Sequence, residues 1–158
     1  MEPRASALVV GAMFPVRYPL TVFYDASCPL CATEMQALRE ADAEGRIQLV
    51  DCSAPDFDES VLAGLPIQRR DLMERIHARD AGGRWRSGVD AFEALYRAAG
   101  LERVARMWAD PRWRPFFVRV YPWVARYRQM LSRFGIQRLA GRFIRSAANC
   151  PGARARAR

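Results

Sequence analysis

The first clear pattern along the chain is an unbroken block of β-branched, aromatic and aliphatic residues, Leu20-Thr-Val-Phe-Tyr24, that stops at Asp25-Ala-Ser27. A short apolar run bounded by turn-forming residues predicts a buried strand. The period then changes. From Cys28 to Glu40, Leu30, Met35 and Leu38 fall broadly on one side of a helix, which Gly45 stops. Pro29 suits the first helical position, where its missing N–H is one of the unpaired donors anyway. Ile47 to Cys52 alternates and runs into Ser-Ala-Pro, predicting a second strand. The strand-helix-strand unit closes within about 33 residues, the size of a βαβ element.

Residues 56–64 read as a short helix, with Asp56, Asp58 and Glu59 near its start and Gly64 past its end. Leu72 to Asp80 fits two patterns, a helix continuing from Ile67 or a strand with Ile76 and Ala78 facing inward. Gly82-Gly83, followed by Arg84-Trp-Arg-Ser-Gly88, favours a β-hairpin, because glycine supplies the positive φ that tight turns need. From Val89 onward the period is helical. Phe92, Leu95 and Tyr96 form one stripe ending at Gly100; Val104, Met107 and Trp108 form another ending before Pro111. Pro115 opens a long helix carrying Trp123, Tyr127, Met130, Leu131 and Phe134, and Pro122 is expected to kink or restart it. Ile136 to Ala148 reads as a last helix.

The pattern therefore predicts an α/β fold in one domain, with an N-terminal βαβ unit, a β-hairpin and an extended C-terminal helical segment. Residues 1–19 are expected to be an N-terminal extension, 20–110 the core, 111–148 basic helices packed on it, and 149–158 a disordered tail. With 158 residues and 51% apolar composition, the chain can bury a core without disulfide staples. The apolar run Ala7 to Phe14 is a poor signal peptide: it is short, Glu2 offsets Arg4, and no small-x-small cleavage site follows. No stretch is long enough to span a bilayer. Cytoplasmic localisation is the resulting expectation.

Charge divides the chain in two. All 25 basic residues are Arg. Residues 1–109 carry 13 Arg against 16 acids, a net −3, whereas residues 110–158 carry 12 Arg against Asp110 alone, a net +11. The forked guanidinium pairs bidentately with phosphate. The basic third thus suits an anionic surface, with membrane lipid favoured over nucleic acid, or is simply a solvated helical face.

The chemistry centres on Cys28-Pro-Leu-Cys31 at the predicted strand-to-helix junction. Unpaired amides and the positive end of the helix dipole favour a thiolate on Cys28, lowering its pKa, while Cys31 lies one turn in and is expected to be shielded. Cys28 would attack a substrate disulfide from an exposed position and Cys31 would resolve the mixed disulfide. The competing reading is half of a zinc site, for which Cys52, His77 and Cys150 are the available partners, none at knuckle spacing. His77 otherwise reads as an ordinary strand residue, Cys52 as a buried small hydrophobe, and Cys150 as part of the tail. Asp25, three residues before Cys28, has two readings: a general base for Cys31, or a turn-forming carboxylate bound to nearby amides.

Phe23-Tyr-Asp-Ala-Ser-Cys-Pro-Leu-Cys31 closely resembles the signature of the DCC family of predicted thiol-disulfide oxidoreductases, with its Asp-x-x-Cys-x-x-Cys core at Asp25, Cys28 and Cys31. Leu72-Met73, Ile76-His77, Gly82-Gly83 and Gly88 to Leu95 resemble the family's second block, and Tyr121, Ala125 and Arg128 its C-terminal Tyr…Ala…Arg pattern. The resemblance implies a thioredoxin-like fold with active cysteines at Cys28 and Cys31; no cofactor and no metal are expected. Its implied partner is a disulfide-containing protein or a small thiol. Two departures from thioredoxins stand out: no proline near Met73 before the third strand, and Ser27 where a Trp precedes the first cysteine. Three functional classes follow: a thiol-disulfide oxidoreductase, a peripheral module resting its basic helices on anionic lipid or nucleic acid, and a zinc-binding structural protein.

Overall fold

The computed structural model describes residues 15–149. Leu20–Tyr24 forms β1 and Ile47–Asp51 forms β2, joined by α1, Pro29–Ala41. The two strands pair in parallel with Leu20 opposite Ile47, as a crossover through α1 allows. Asp42 completes the return: its carboxylate accepts from Ile47 N at 2.8 Å.

The region that fits two patterns contains both, in series. Arg69–Glu74 is a short helix, α2, opened by a reciprocal capping arrangement in which Gln68 N donates to Asp71 Oδ2 at 2.8 Å. Arg75 then turns to an extended conformation and His77–Arg79 forms β3, paired by a hairpin through Gly82-Gly83 with β4, Trp85–Ser87. β3 lies antiparallel to β1, giving the strand order β2-β1-β3-β4. The expected helix at 56–64 shrinks to a single 3-10 turn, Glu59–Leu62, capped by Asp58 Oδ1 accepting from Ser60 N at 2.9 Å.

Four helices follow: α3 (Val89–Ala98), α4 (Glu102–Ala109), α5 (Arg114–Arg133) and α6 (Ile136–Asn149). Gly88 precedes α3 with φ 56°, a conformation that glycine tolerates, and a Cβ there would meet the Tyr121 ring at 3.3 Å. Pro122 neither ends nor restarts α5. The carbonyl deprived of its bond is that of Val118, and both residues face outward, where water can satisfy it.

The sheet separates two cores. Leu20 and Val22 of β1 join Met35 and Leu38 of α1, Leu95 of α3 and Ile144 of α6 on one face. Phe23 points the other way, into a cluster with Cys52, Leu62, Ile67, Leu72 and Trp85, and its ring stacks on Trp85 at 4.9 Å. From the expected N-terminal extension, Val16 and Tyr18 pack on the first cluster, and Arg17 O accepts from Ala81 N at 3.0 Å. The Ala7–Phe14 run, Cys150 and the tail lie outside the described residues. This is the expected α/β, thioredoxin-like sheet followed by C-terminal helices. Among the described residues no helix is long and apolar enough to cross a membrane.

Candidate active site

Cys28 occupies the N-cap of α1 with extended backbone (φ −89°, ψ 113°), and Pro29 takes the first helical position. The turn before it is built by two aspartates. Asp25 Oδ1 accepts from Ser27 N at 3.0 Å and from the Ser27 hydroxyl. Asp51, at the end of β2, accepts from Ala26 N at 3.1 Å and Ser53 N at 2.8 Å. The turn-forming reading of Asp25 thus describes its geometry, and its other oxygen has a partner the sequence did not suggest: Arg128 Nη2, at 2.7 Å.

Arg128 comes from the C-terminal half of α5, 103 residues away in sequence. Its guanidinium donates to Asp25, to the carbonyl of Met73 in the segment before β3, and lies 4.0 Å from Cys31 Sγ. Two turns earlier on the same face, Tyr121 accepts from Ile76 N at 3.0 Å. Two members of the C-terminal Tyr…Ala…Arg pattern therefore clamp the loop opposite the dithiol. The Met73 carbonyl, near where a thioredoxin carries its proline, is occupied by an arginine from the chain itself.

The two thiols differ sharply. Cys28 is driven down to about 6, first by the hydrogen bond from the Cys31 thiol, then by the amides of Cys31 and Leu30 and the charge of Arg128, which together outweigh its burial. Cys31 moves up, because it holds its proton in that same hydrogen bond and lies close to the Cys28 charge. The exposure expected from sequence is reversed. Cys28 is fully buried and Cys31 is partly exposed.

Beside Cys31 lies a small cavity of about 60 Å³, lined by Asp25, Glu34, Phe92, Tyr121, Val124 and Arg128 among others. Glu34 is three residues beyond Cys31 on α1, so it shares the helix face. Its carboxylate accepts from Tyr96 Oη at 2.9 Å, and burial pushes it up to about 7. Sequence reasoning missed Glu34; the i, i+3 spacing from Cys31 was the available signal. The cavity shares Tyr121, Ala125 and Arg128 with a wider groove of about 860 Å³ that runs between α5 and the α2–β3 segment.

The other candidates lie elsewhere. Cys52 is fully buried with Phe23 and Trp85, and burial pushes its thiol up to about 12. His77 is a β3 residue opposite Phe23, buried, with Nδ1 3.0 Å from Arg75 O and its pKa lowered by that burial. Among the described residues no three His, Cys, Asp or Glu side chains are gathered where they could hold a metal ion.

A protein of Arabidopsis thaliana described as uncharacterised and chloroplastic is 35% identical over 88 residues, which cover 55% of this chain and 40% of that protein. The chain thus matches less than half the length of that relative. No solved structure matches. The model of the DCC1-like thiol-disulfide oxidoreductases matches residues 22–134, a span that runs from β1 through Cys28 and Cys31 to the end of α5 and takes in Arg128. The chain belongs to the DCC1-like thiol-disulfide oxidoreductase family.

Proposed function

We propose that the chain is an enzyme of protein-disulfide reductase type, working through the dithiol Cys28-Pro-Leu-Cys31. The observation that carries this reading is the position of the dithiol, with Cys28 at the N-cap of α1, Cys31 one turn in and the Arg128 guanidinium 4.0 Å from Cys31 Sγ, an arrangement that favours a thiolate on Cys28.

The Cys28 thiolate attacks one sulfur of a substrate disulfide, forming a mixed disulfide and releasing the other half as a thiolate. Loss of the Cys28 charge removes what held the proton on Cys31. That proton passes to Glu34, the Cys31 sulfur attacks Cys28, and the second half of the substrate leaves as a thiolate. Two electrons have moved to the substrate, and the Cys28–Cys31 disulfide is reduced again by an external dithiol. Asp25 acts as a positioning residue in this scheme, since both its oxygens hold the turn and Arg128. Burial of Cys28 means that substrate entry displaces whatever covers the sulfur. The wider groove adjoining the site receives the disulfide-bearing segment of a protein or a small disulfide.

Cys31→Ser is expected to accumulate a mixed disulfide through Cys28 when mixed with a disulfide-bonded protein, and Cys28→Ser is expected to accumulate none. Non-reducing electrophoresis with mass spectrometry reads both. Capture through Cys31 or Cys52 in the Cys28→Ser variant overturns the proposal.

A further inference from the structure

Helix α5 is apolar on two faces. The inner one turns Phe117, Tyr121 and Val124 towards the core and carries Arg128 to the dithiol. The outer one has no cover among the described residues. Trp113, Phe116, Trp123, Tyr127, Met130 and Phe134 recur at spacings of three, four and seven within an arc of about 100°, the seam of a heptad pattern. These six are between 37% and 75% exposed. On α6, Leu139 and Phe143 continue the pattern at 66% and 57%. Among the described residues, large exposed hydrophobic side chains occur only between Met107 and Phe143.

Charge follows the same stripe. Arg119, Arg126 and Arg133 repeat every seven residues along one flank of α5, Arg112 precedes them at the same spacing in the turn before the helix, and Arg138 and Arg142 accompany the α6 pair. No Asp or Glu occurs from residue 111 to 149. Three arginines of this stretch pair back to acids of the core: Arg114 with Asp90, Arg128 with Asp25 and Arg145 with Glu40. The other six have no ion pair among the described residues.

We propose that the outer face of α5 and α6 docks on an anionic lipid surface, with the aromatic stripe in the headgroup layer and the flanking arginines on lipid phosphates. Trp, Tyr and Phe beside unpaired arginines match the chemistry of an interfacial helix. A second copy of the chain fits badly. In an antiparallel pair the arginine flank would meet itself, and in a parallel pair it would meet Phe117, Val124 and Leu131, which offer no charge. The exposed apolar residues also run across the Gly135 turn onto a second helix, which suits a broad surface better than a single helical partner. Docking in this way places the dithiol, on the inner face of α5, one helix diameter from the lipid. The inference is independent of the redox reading.

Full-length protein would be sedimented with vesicles of phosphatidylcholine alone or with about 30% phosphatidylglycerol, at about 50 mM and about 500 mM salt. Lipids brominated in the acyl chain report tryptophan depth by quenching. Binding to the anionic vesicles at low salt with quenching is expected, and it should weaken at high salt. R119E/R133E/R138E and W123S/M130S should each lower the partition at least about tenfold, with W123S/M130S also losing most of the quenching. A far-UV circular dichroism spectrum and a urea midpoint at the parent values show that each variant is folded. Three results overturn the proposal: no partition at low salt; unchanged partition of W123S/M130S, which would mean charge-only adhesion; or a solution dimer that W123S/M130S dissociates and that does not bind vesicles.

Discussion

Glu34 and Cys28 make opposite demands on pH. Burial holds the Glu34 carboxyl near 7, so the folded chain keeps a proton that the unfolded chain loses near 4.5. The stability this contributes is complete below 4.5 and disappears as pH rises through about 7. Cys28 runs the other way: its contribution is complete above 9.0, the ordinary thiol value, and is lost as pH falls through about 6. Glu34→Gln keeps an acceptor for Tyr96 while removing the ionisation. In urea unfolding between about pH 4.5 and about pH 8, the variant should gain on the parent by about 1–3 kcal/mol as pH rises. It should also slow release of the second substrate half from the mixed disulfide. A stability difference that stays flat across that range contradicts the assignment.

At the scale of elements, the fold depends on how α5 meets the segment before β3. Tyr121→Phe leaves the buried Ile76 N–H without its acceptor, a loss of about 1–3 kcal/mol for a buried donor left unpaired. Chemical denaturation should show a lower midpoint with an unchanged slope; a change under about 0.3 kcal/mol would mean that water replaces the hydroxyl. The strands, α1 and its N-cap cysteine, and the glycine hairpin were legible because each depends on neighbours within a few residues. Long-range docking left no such trace. Tyr121 and Arg128 could be matched to a family pattern, but nothing in the helical period of residues 114–133 says that one hydroxyl reaches Ile76 and one guanidinium reaches Asp25. The apolar residues of α5 carried the same ambiguity, since a helix with two apolar faces gives no local signal of which one is buried. Its inner face proved to be Phe117, Tyr121 and Val124, leaving Trp123 and Tyr127 outside.

Across the whole molecule, the division between a mildly acidic first two thirds and a basic last third becomes a spatial one. Three arginines of the basic third reach acids of the core and hold α5 and α6 against it. One of those pairs, Asp25–Arg128, also reaches the dithiol turn, so α5 contributes to the candidate site. Nothing in the linear charge count distinguishes Arg128 from its neighbours; its role appears only when the sheet brings the Cys28 turn, the Met73 carbonyl and α5 together. The measurement that tests the account most directly is site-resolved alkylation of the reduced protein by iodoacetamide across pH, read by mass spectrometry for each cysteine. Cys28 should react first, with a midpoint near 6 that rises when Arg128 is replaced by Met. Cys31 reacting first, or both thiols titrating near about 8.5 like free cysteine, would contradict the charge separation on which the proposed mechanism stands.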